Sequence, residues 1–211
     1  MAAIAVIDYD MGNLHSACKG LENAGATPTI TDSHKDIQNA DAVVLPGVGS
    51  FDPAMQHLRS RDLVQPIQDA IASGKPFLGI CLGLQILFDG SEEGTEPGLG
   101  IIPGLVRRFH PEPGLTIPQI GWNQLNFEQP HLPVWQQLGE SPYVYFVHSY
   151  YVDPVDPKVT AATVTHGSQT VTAAIARDNL VAVQFHPEKS STAGLQLLAN
   201  FVSQVRMQVT V

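Results

Sequence analysis

The sequence predicts an α/β fold: a mostly parallel central sheet flanked by helices, with a β-rich second half. Three observations predict it. Short apolar runs alternate with amphipathic stretches through the first half of the 211 residues, the pattern of repeated βαβ units. Runs such as Ala42-Val43-Val44-Leu45 and Phe77-Leu78-Gly79-Ile80 carry no polar side chain, as strands covered on both faces require. Beyond about residue 100 the candidate elements are nearly all strands. No repeat, low-complexity stretch or linker divides the chain, which reads as a single domain over residues 1–211.

Taken in order, strands are expected from Ala3 to Asp8, Thr27 to Thr31, Ala42 to Leu45 and Phe77 to Ile80. Helices are expected near Asn13 to Ala24, Pro53 to Arg59, Leu63 to Ser73 and Leu82 to Phe88. The second half predicts strands from Ile101 to Phe109, Gln124 to Phe127, Tyr143 to Val152, Val159 to Val164, Val171 to Ala176 and Val181 to Phe185. A last helix, about Ser191 to Val205, packs back on the sheet. Pro111 to Pro118 and Pro130 to Pro133 are Pro-rich loops.

Function in such sheets collects at the carboxyl ends of the strands. The Phe77 to Ile80 strand runs into Gly79-Ile80-Cys81-Leu82-Gly83 and out into a helix, which is how a nucleophile elbow reads. Residues without a Cβ on both sides let the backbone bend sharply and leave the thiol at a helix N-terminus, where the dipole favours thiolate. About a hundred residues downstream, the Val181 to Phe185 strand ends in His186-Pro187-Glu188. A cysteine nucleophile needs a base, and the imidazole needs a third group to orient it; His186 and Glu188 supply that pair. Pro46-Gly47-Val48-Gly49 ends another strand and offers backbone N–H groups, at Val48 and Gly49, to an oxyanion, partnered by the N–H of Leu82. Each feature also has a plain structural reading: a buried cysteine in a turn, a histidine on a strand rim, an ordinary Gly-rich βα loop.

Composition narrows the class. A formal net charge of −9 opposes binding to nucleic acid or an anionic membrane. Two cysteines, Cys18 and Cys81, are too few for a disulfide framework and suit a reducing, cytoplasmic setting. No signal peptide or membrane span is read, and neither a metal-ligand run nor a cofactor motif is present.

Taken together, these motifs resemble the class I glutamine amidotransferases, in which a Cys in Gly-x-Cys-x-Gly and a downstream His-Pro-Glu form a catalytic triad. The likeness runs nearly end to end. Within the class it is nearest the glutaminase subunits of imidazole glycerol phosphate synthases. The strings that carry it are Asp8 to Leu14, Leu45 to Gly49, Gly79 to Gln85, Gly121-Trp122-Asn123, Tyr145 to Tyr150 and Gln184 to Glu188. Asp10 stands where that family more often has Gly.

The resemblance implies a flavodoxin-like fold, with Cys81 as nucleophile, His186 as acid and base, and Glu188 as its orienting group. It implies that Gly49, Gln85, Glu93, His148, Ser149 and Tyr150 hold L-glutamine, Glu93 at its α-ammonium. It also implies a heterodimer with a (β/α)₈-barrel cyclase that receives ammonia through a sealed channel in histidine biosynthesis, with Asn13, Trp122 and Lys189 as interface candidates. For Asn13 a helix cap, for Trp122 packing and for Lys189 a solvated side chain are the plain alternatives. The neighbouring readings are the glutaminase subunit of an anthranilate- or aminodeoxychorismate-type synthase, a stand-alone thiol hydrolase and an inactive binding module.

Overall fold

In a computed structural model, residues 1–209 are described. Five parallel strands form the centre of the main sheet: β1 (Ala3–Ile7), β2 (Thr27–Thr31), β3 (Ala42–Gly47), β4 (Phe77–Cys81) and, from the far end of the chain, β13 (Leu180–Val183). They lie in the order β2-β1-β3-β4-β13. Every residue of β3 and β4 is buried, as apolar strands covered on both faces must be.

The helices divide between the faces by the two-residue alternation of the strands. Ile4, Val6, Val44 and Leu78 pack with Leu21 of α1 (Leu14–Asn23) and with Leu198 and Phe201 of α6 (Ser191–Val209). On the other side Ala5, Ile7, Val43 and Phe77 meet α2 (His34–Asn39), α3 (Phe51–Ser60) and α4 (Val64–Ala72) through Ile37, Leu58 and Ile67.

β13 is the pivot to the second half. The sheet continues antiparallel through β12 (Gln169–Arg177), β10 (Tyr150–Pro154) and β6 (Gly104–Arg108), which ends beside the two-residue β5 (Gly90–Ser91). β11 (Thr160–His166) pairs with β12 and with the short β8 (Asn126–Phe127). A separate two-stranded sheet joins β7 (Gln119–Gln124) to β9 (Tyr143–His148).

Several elements differ from the sequence expectation. The apolar run Tyr143 to Val152 is two strands, because the chain leaves the small sheet at His148 and enters the main one at Tyr150. The strand expected from Gln124 to Phe127 is the last residue of β7 and the stub β8, with Leu125 buried between them. β6 starts at Gly104 rather than Ile101. The helix expected to Phe88 is a single turn, α5 (Leu82–Gln85), while α6 runs on to Val209. Asp10 adopts a left-handed φ of 65°, a conformation that Asp tolerates better than most residues and Gly best, which accounts for either residue there. Its carboxylate pairs with Arg61.

Candidate active site

The carboxyl ends of β3 and β4 meet in register, Gly47 beside Cys81. Cys81 itself takes φ 56° and ψ −111°, a left-handed value that a side chain adopts only when its surroundings impose it. Those surroundings are tight. A Cβ on Gly83 would stand 1.9 Å from the Leu45 carbonyl oxygen, and one on Gly79 would stand 2.9 Å from the Ala182 Cβ. The two glycines therefore do what an elbow requires of them, letting the turn press against β3 and β13. Since α5 is one turn long, its dipole contributes little to the sulfur's charge, contrary to the expectation from sequence. Histidine and hydrogen-bond donors must supply that stabilisation.

His186 follows β13, the strand next to β4, and so arrives beside Cys81. Pro187 begins a single 3₁₀ turn, Pro187–Lys189, which folds Glu188 back beneath the ring: His186 Nδ1 and Glu188 Oε1 are 2.8 Å apart, and both side chains are almost fully buried. The backbone of His186 is held at both ends, its N–H donating to Tyr145 O at 3.0 Å and its C=O accepting from Ser190 Oγ at 2.6 Å. Nε2 has no partner of ordinary hydrogen-bond geometry and is left for the thiol. Burial alone would lower the imidazole pKa, but hydrogen bonding and charge from Cys81 and Glu188 outweigh it and raise the value to about 9. The imidazolium's contribution to stability is therefore complete below the ordinary histidine value of 6.5 and is lost as pH rises through about 9.

Glu188→Gln is expected to keep the ring in place yet remove the charge that favours imidazolium. Loss of the charge that keeps the acid protonated should lower glutamine hydrolysis by about 10²-fold or more. The alkaline limb of its pH–rate profile should move down from about 9 towards 6.5. An unmoved limb would mean that Glu188 does not set the charge of His186.

Cys81 and His186 open on a cavity of about 320 Å³ lined also by Val48, Gly49, Leu82, Gln85, Glu93, Pro118, Val147, His148, Ser149 and Tyr150. Every residue assigned from sequence to catalysis, oxyanion or substrate, save Glu188 behind the ring, thus lines one cavity. Glu93 lies on a loop but is half-buried. Its Oε2 accepts the Phe51 N–H at 2.8 Å at the start of α3, which fixes the carboxylate at the cavity wall. Val48 N–H donates to Met11 O at 2.6 Å and so is turned away from an oxyanion in this conformation, while Gly49 holds φ 97°. The N–H of Leu82, first in α5, has no acceptor within the helix.

His148 is buried, and burial first of all lowers its pKa to about 4, so the ring is neutral. Nδ1 stands 2.8 Å from Tyr150 O, which only accepts, so Nδ1 carries the proton; Nε2, 2.9 Å from the Gln119 side-chain amide, accepts. The atom placed there is Gln119 Oε1, which cannot donate to an accepting nitrogen, so the amide is assigned the other way round, with its NH₂ towards the ring, and the otherwise unpartnered Gln119 nitrogen then has an acceptor. His148 is bound on both sides within the protein and pins the crossing from β9 to β10.

Of the expected interface residues, Asn13 precedes α1 but makes no side-chain cap, Lys189 is exposed, and Trp122 is 52% exposed on β7, edge-on to Tyr145. Sequence reasoning missed three residues around the elbow: Gln119, Tyr9 and Gln184. Tyr9 is buried with an unpartnered hydroxyl beside Gly47, and Gln184 is buried with its amide 3.7 Å from Cys81 Sγ. A polar residue inside the apolar run Val181 to Phe185 was the available signal for Gln184.

Among the described residues, no group of three or more His, Cys, Asp or Glu could hold a metal ion, and no helix is long and apolar enough to cross a membrane. Two solved structures share the fold. PurLQS from Thermotoga maritima matches with a TM-score of 0.74 at 21% identity, covering 100% of each chain. The Trypanosoma brucei CTPS glutaminase domain matches with a TM-score of 0.70 at 16% identity, covering 98% of this chain and 94% of that one. Sequence relatives are much nearer. A protein of Gloeothece citriformis named imidazole glycerol phosphate synthase subunit HisH is 77% identical over 208 residues, 99% of either chain. One of the same name from Cyanothece sp. is 74% identical over 211 residues, 100% of each. The model of the family described as "Glutamine amidotransferase class-I" matches residues 5–205, a span that takes in the elbow, the His186–Glu188 pair and the cavity between them; the chain belongs to that family.

Proposed function

We propose that the chain is the glutaminase subunit of an imidazole glycerol phosphate synthase, one amidotransferase domain acting in the cytoplasm with a cyclase partner. The observation that carries the chemistry is a strained cysteine beside an imidazole raised to about pKa 9, both facing a cavity with a fixed carboxylate opposite. The near relatives' shared name carries the pathway.

Cys81 attacks the side-chain amide carbon of L-glutamine, whose α-ammonium sits at Glu93, with Gln85, Ser149 and Tyr150 lining the rest. The oxyanion falls to the Leu82 N–H and, once the peptide before Val48 turns from Met11, to the Val48–Gly49 loop; one such donor is worth about 3 kcal/mol of barrier. His186 gives its proton to departing ammonia, then takes one from water as that water attacks the Cys81 thioester and releases glutamate. Ammonia must leave without meeting solvent, where it would be protonated and lost. The outer face of β7 and β9 suits a partner at that exit: Ile120, Trp122, Tyr143 and Val147 are 62%, 52%, 59% and 38% exposed, and Val147 also lines the cavity. Asn13 and Lys189 would extend the contact.

Glutamine hydrolysis by the chain alone, with a (β/α)₈-barrel cyclase, and with that cyclase plus its ribonucleotide substrate tests the reading. Strong stimulation is expected only in the last case, because Val48 N–H is engaged elsewhere at rest. Equal rates in all three would mean an autonomous thiol hydrolase. Stimulation by a chorismate-binding partner instead would move the chain to another synthase.

A further inference from the structure

The thiol of Cys81 has a second polar neighbour that the triad does not include. Gln184 is wholly buried, and its Nε2 lies 3.7 Å from Cys81 Sγ. Its Oε1 accepts from Gln85 Nε2 at 3.0 Å, and the same Gln85 nitrogen donates to Tyr150 O at 3.2 Å. Tyr150 O also receives the Nδ1–H of His148, whose Nε2 meets Gln119.

The direction of every bond in this chain is forced. A backbone carbonyl can only accept, so Gln85 must turn its NH₂ towards Tyr150 and therefore also towards Gln184. Gln184 must answer with oxygen, which leaves its NH₂ for the sulfur. The opposite orientation would set two NH₂ groups against each other and a carbonyl oxygen against a thiolate.

We propose that Gln184 is a catalytic residue of this site, an N–H donor to the Cys81 thiolate held in its donating orientation by Gln85, with His148 and Gln119 as positioning residues. The inference rests on Cys81 being the nucleophile and adds to His186 a neutral donor that cannot lose its proton in the working pH range. It supplies the stabilisation that a one-turn helix cannot. The far end of the chain, Gln119, belongs to β7, whose opposite face carries Trp122, so the sulfur is linked by hydrogen bonds to the strand proposed to meet the partner.

Such a donor has two opposed effects. It increases the thiolate fraction at a given pH but makes each thiolate less nucleophilic, and a drop of about one unit in thiol pKa costs roughly threefold in intrinsic reactivity. Removing it should therefore slow Cys81 below the titration midpoint and quicken it above. The ionisable groups that face Cys81 are His186 and Glu188 after β13, Tyr9 after β1, His148 at the end of β9 and Glu93 across the cavity. None of them is changed in the variants used.

The test is the rate of iodoacetamide alkylation at Cys81 as a function of pH, localised by mass spectrometry, for the full chain and for Gln184→Met and Gln85→Met. Thermal melts establish that each variant is folded. Iodoacetamide needs no glutamine site, so loss of substrate binding does not enter. With Gln184→Met the midpoint is expected to rise by about one pH unit, with the two profiles crossing. Gln85→Met, which frees the Gln184 amide without removing it, should move the midpoint the same way by less, and it carries the test if Gln184→Met does not fold. A folded variant with an unmoved midpoint and a uniformly scaled rate would overturn the proposal, leaving Gln184 a packing residue. A native chain whose Cys81, below the titration midpoint, reacts no faster than a free thiol would overturn the nucleophile assignment itself.

Discussion

Cys81→Ala should bring glutamine hydrolysis to background, a loss of at least about 10⁴-fold, while ammonia-fed synthesis by the reconstituted complex persists. The two activities separate because the thiol forms a bond that no other group can form, whereas added ammonia bypasses the cavity. The change should cost little structure. Cys81 is almost buried, but its backbone angles are imposed by Gly79, Gly83 and the neighbouring strands rather than by its sulfur. Losing one buried sulfur should lower stability by about 1 kcal/mol. The chain has one other thiol, Cys18 on α1, packed among the residues between α1 and α6 on the far side of the sheet from α3. Cys18→Ala is the control, with activity unchanged. Glutamate release above a tenth of the native rate from Cys81→Ala would place the nucleophile elsewhere.

What could be read before the structure follows from what sequence encodes directly. The parallel centre was legible because strands covered on both faces must be apolar throughout, and 42–45 and 77–80 are. The elbow was legible because only Gly can stand where Gly79 and Gly83 stand. Other features depend on partners that sequence does not name. The residues from Tyr143 to Val152 have one continuous strand character, yet they break at Ser149 because two different sheets claim the two halves. Helix α2 buries only Ile37 among its six residues, too little for a period to show, and is started by Ser33. The direction of the Val48 N–H is set by Met11 O, a backbone acceptor on another strand's loop, and no residue type announces it. Gln119, at the start of β7, and Gln184, just past the end of β13, were passed over because a polar side chain in or beside a strand acquires a role only through what it meets in the fold.

Gly83→Ala should be among the most damaging single substitutions in the molecule, although Ala is the better helix former by about 1 kcal/mol. Gly83 lies within α5 and its backbone angles suit any residue, so strain in φ is not the reason. Space is. The added Cβ would stand 1.9 Å from Leu45 O and 2.9 Å from Leu45 C, and Leu45 belongs to β3, which is paired to β1 on one side and β4 on the other. A backbone so held cannot yield as a side-chain tip could, so the elbow must lift off the strand. A loss of about 3 kcal/mol or more is expected, enough to lower the urea midpoint by about 1.5 M. Cys81 alkylation and glutaminase activity should fall together. Gly74→Ala separates this cause from backbone strain: Gly74 has φ 82° with nothing near its missing Cβ, so that variant should lose only about 1 kcal/mol and no activity. Were the two variants equally stable, the close approach of elbow and β3 would not be what holds Cys81 in its left-handed conformation, and the rigidity assigned to the nucleophile would have to come from the Gln184 and His186 side alone.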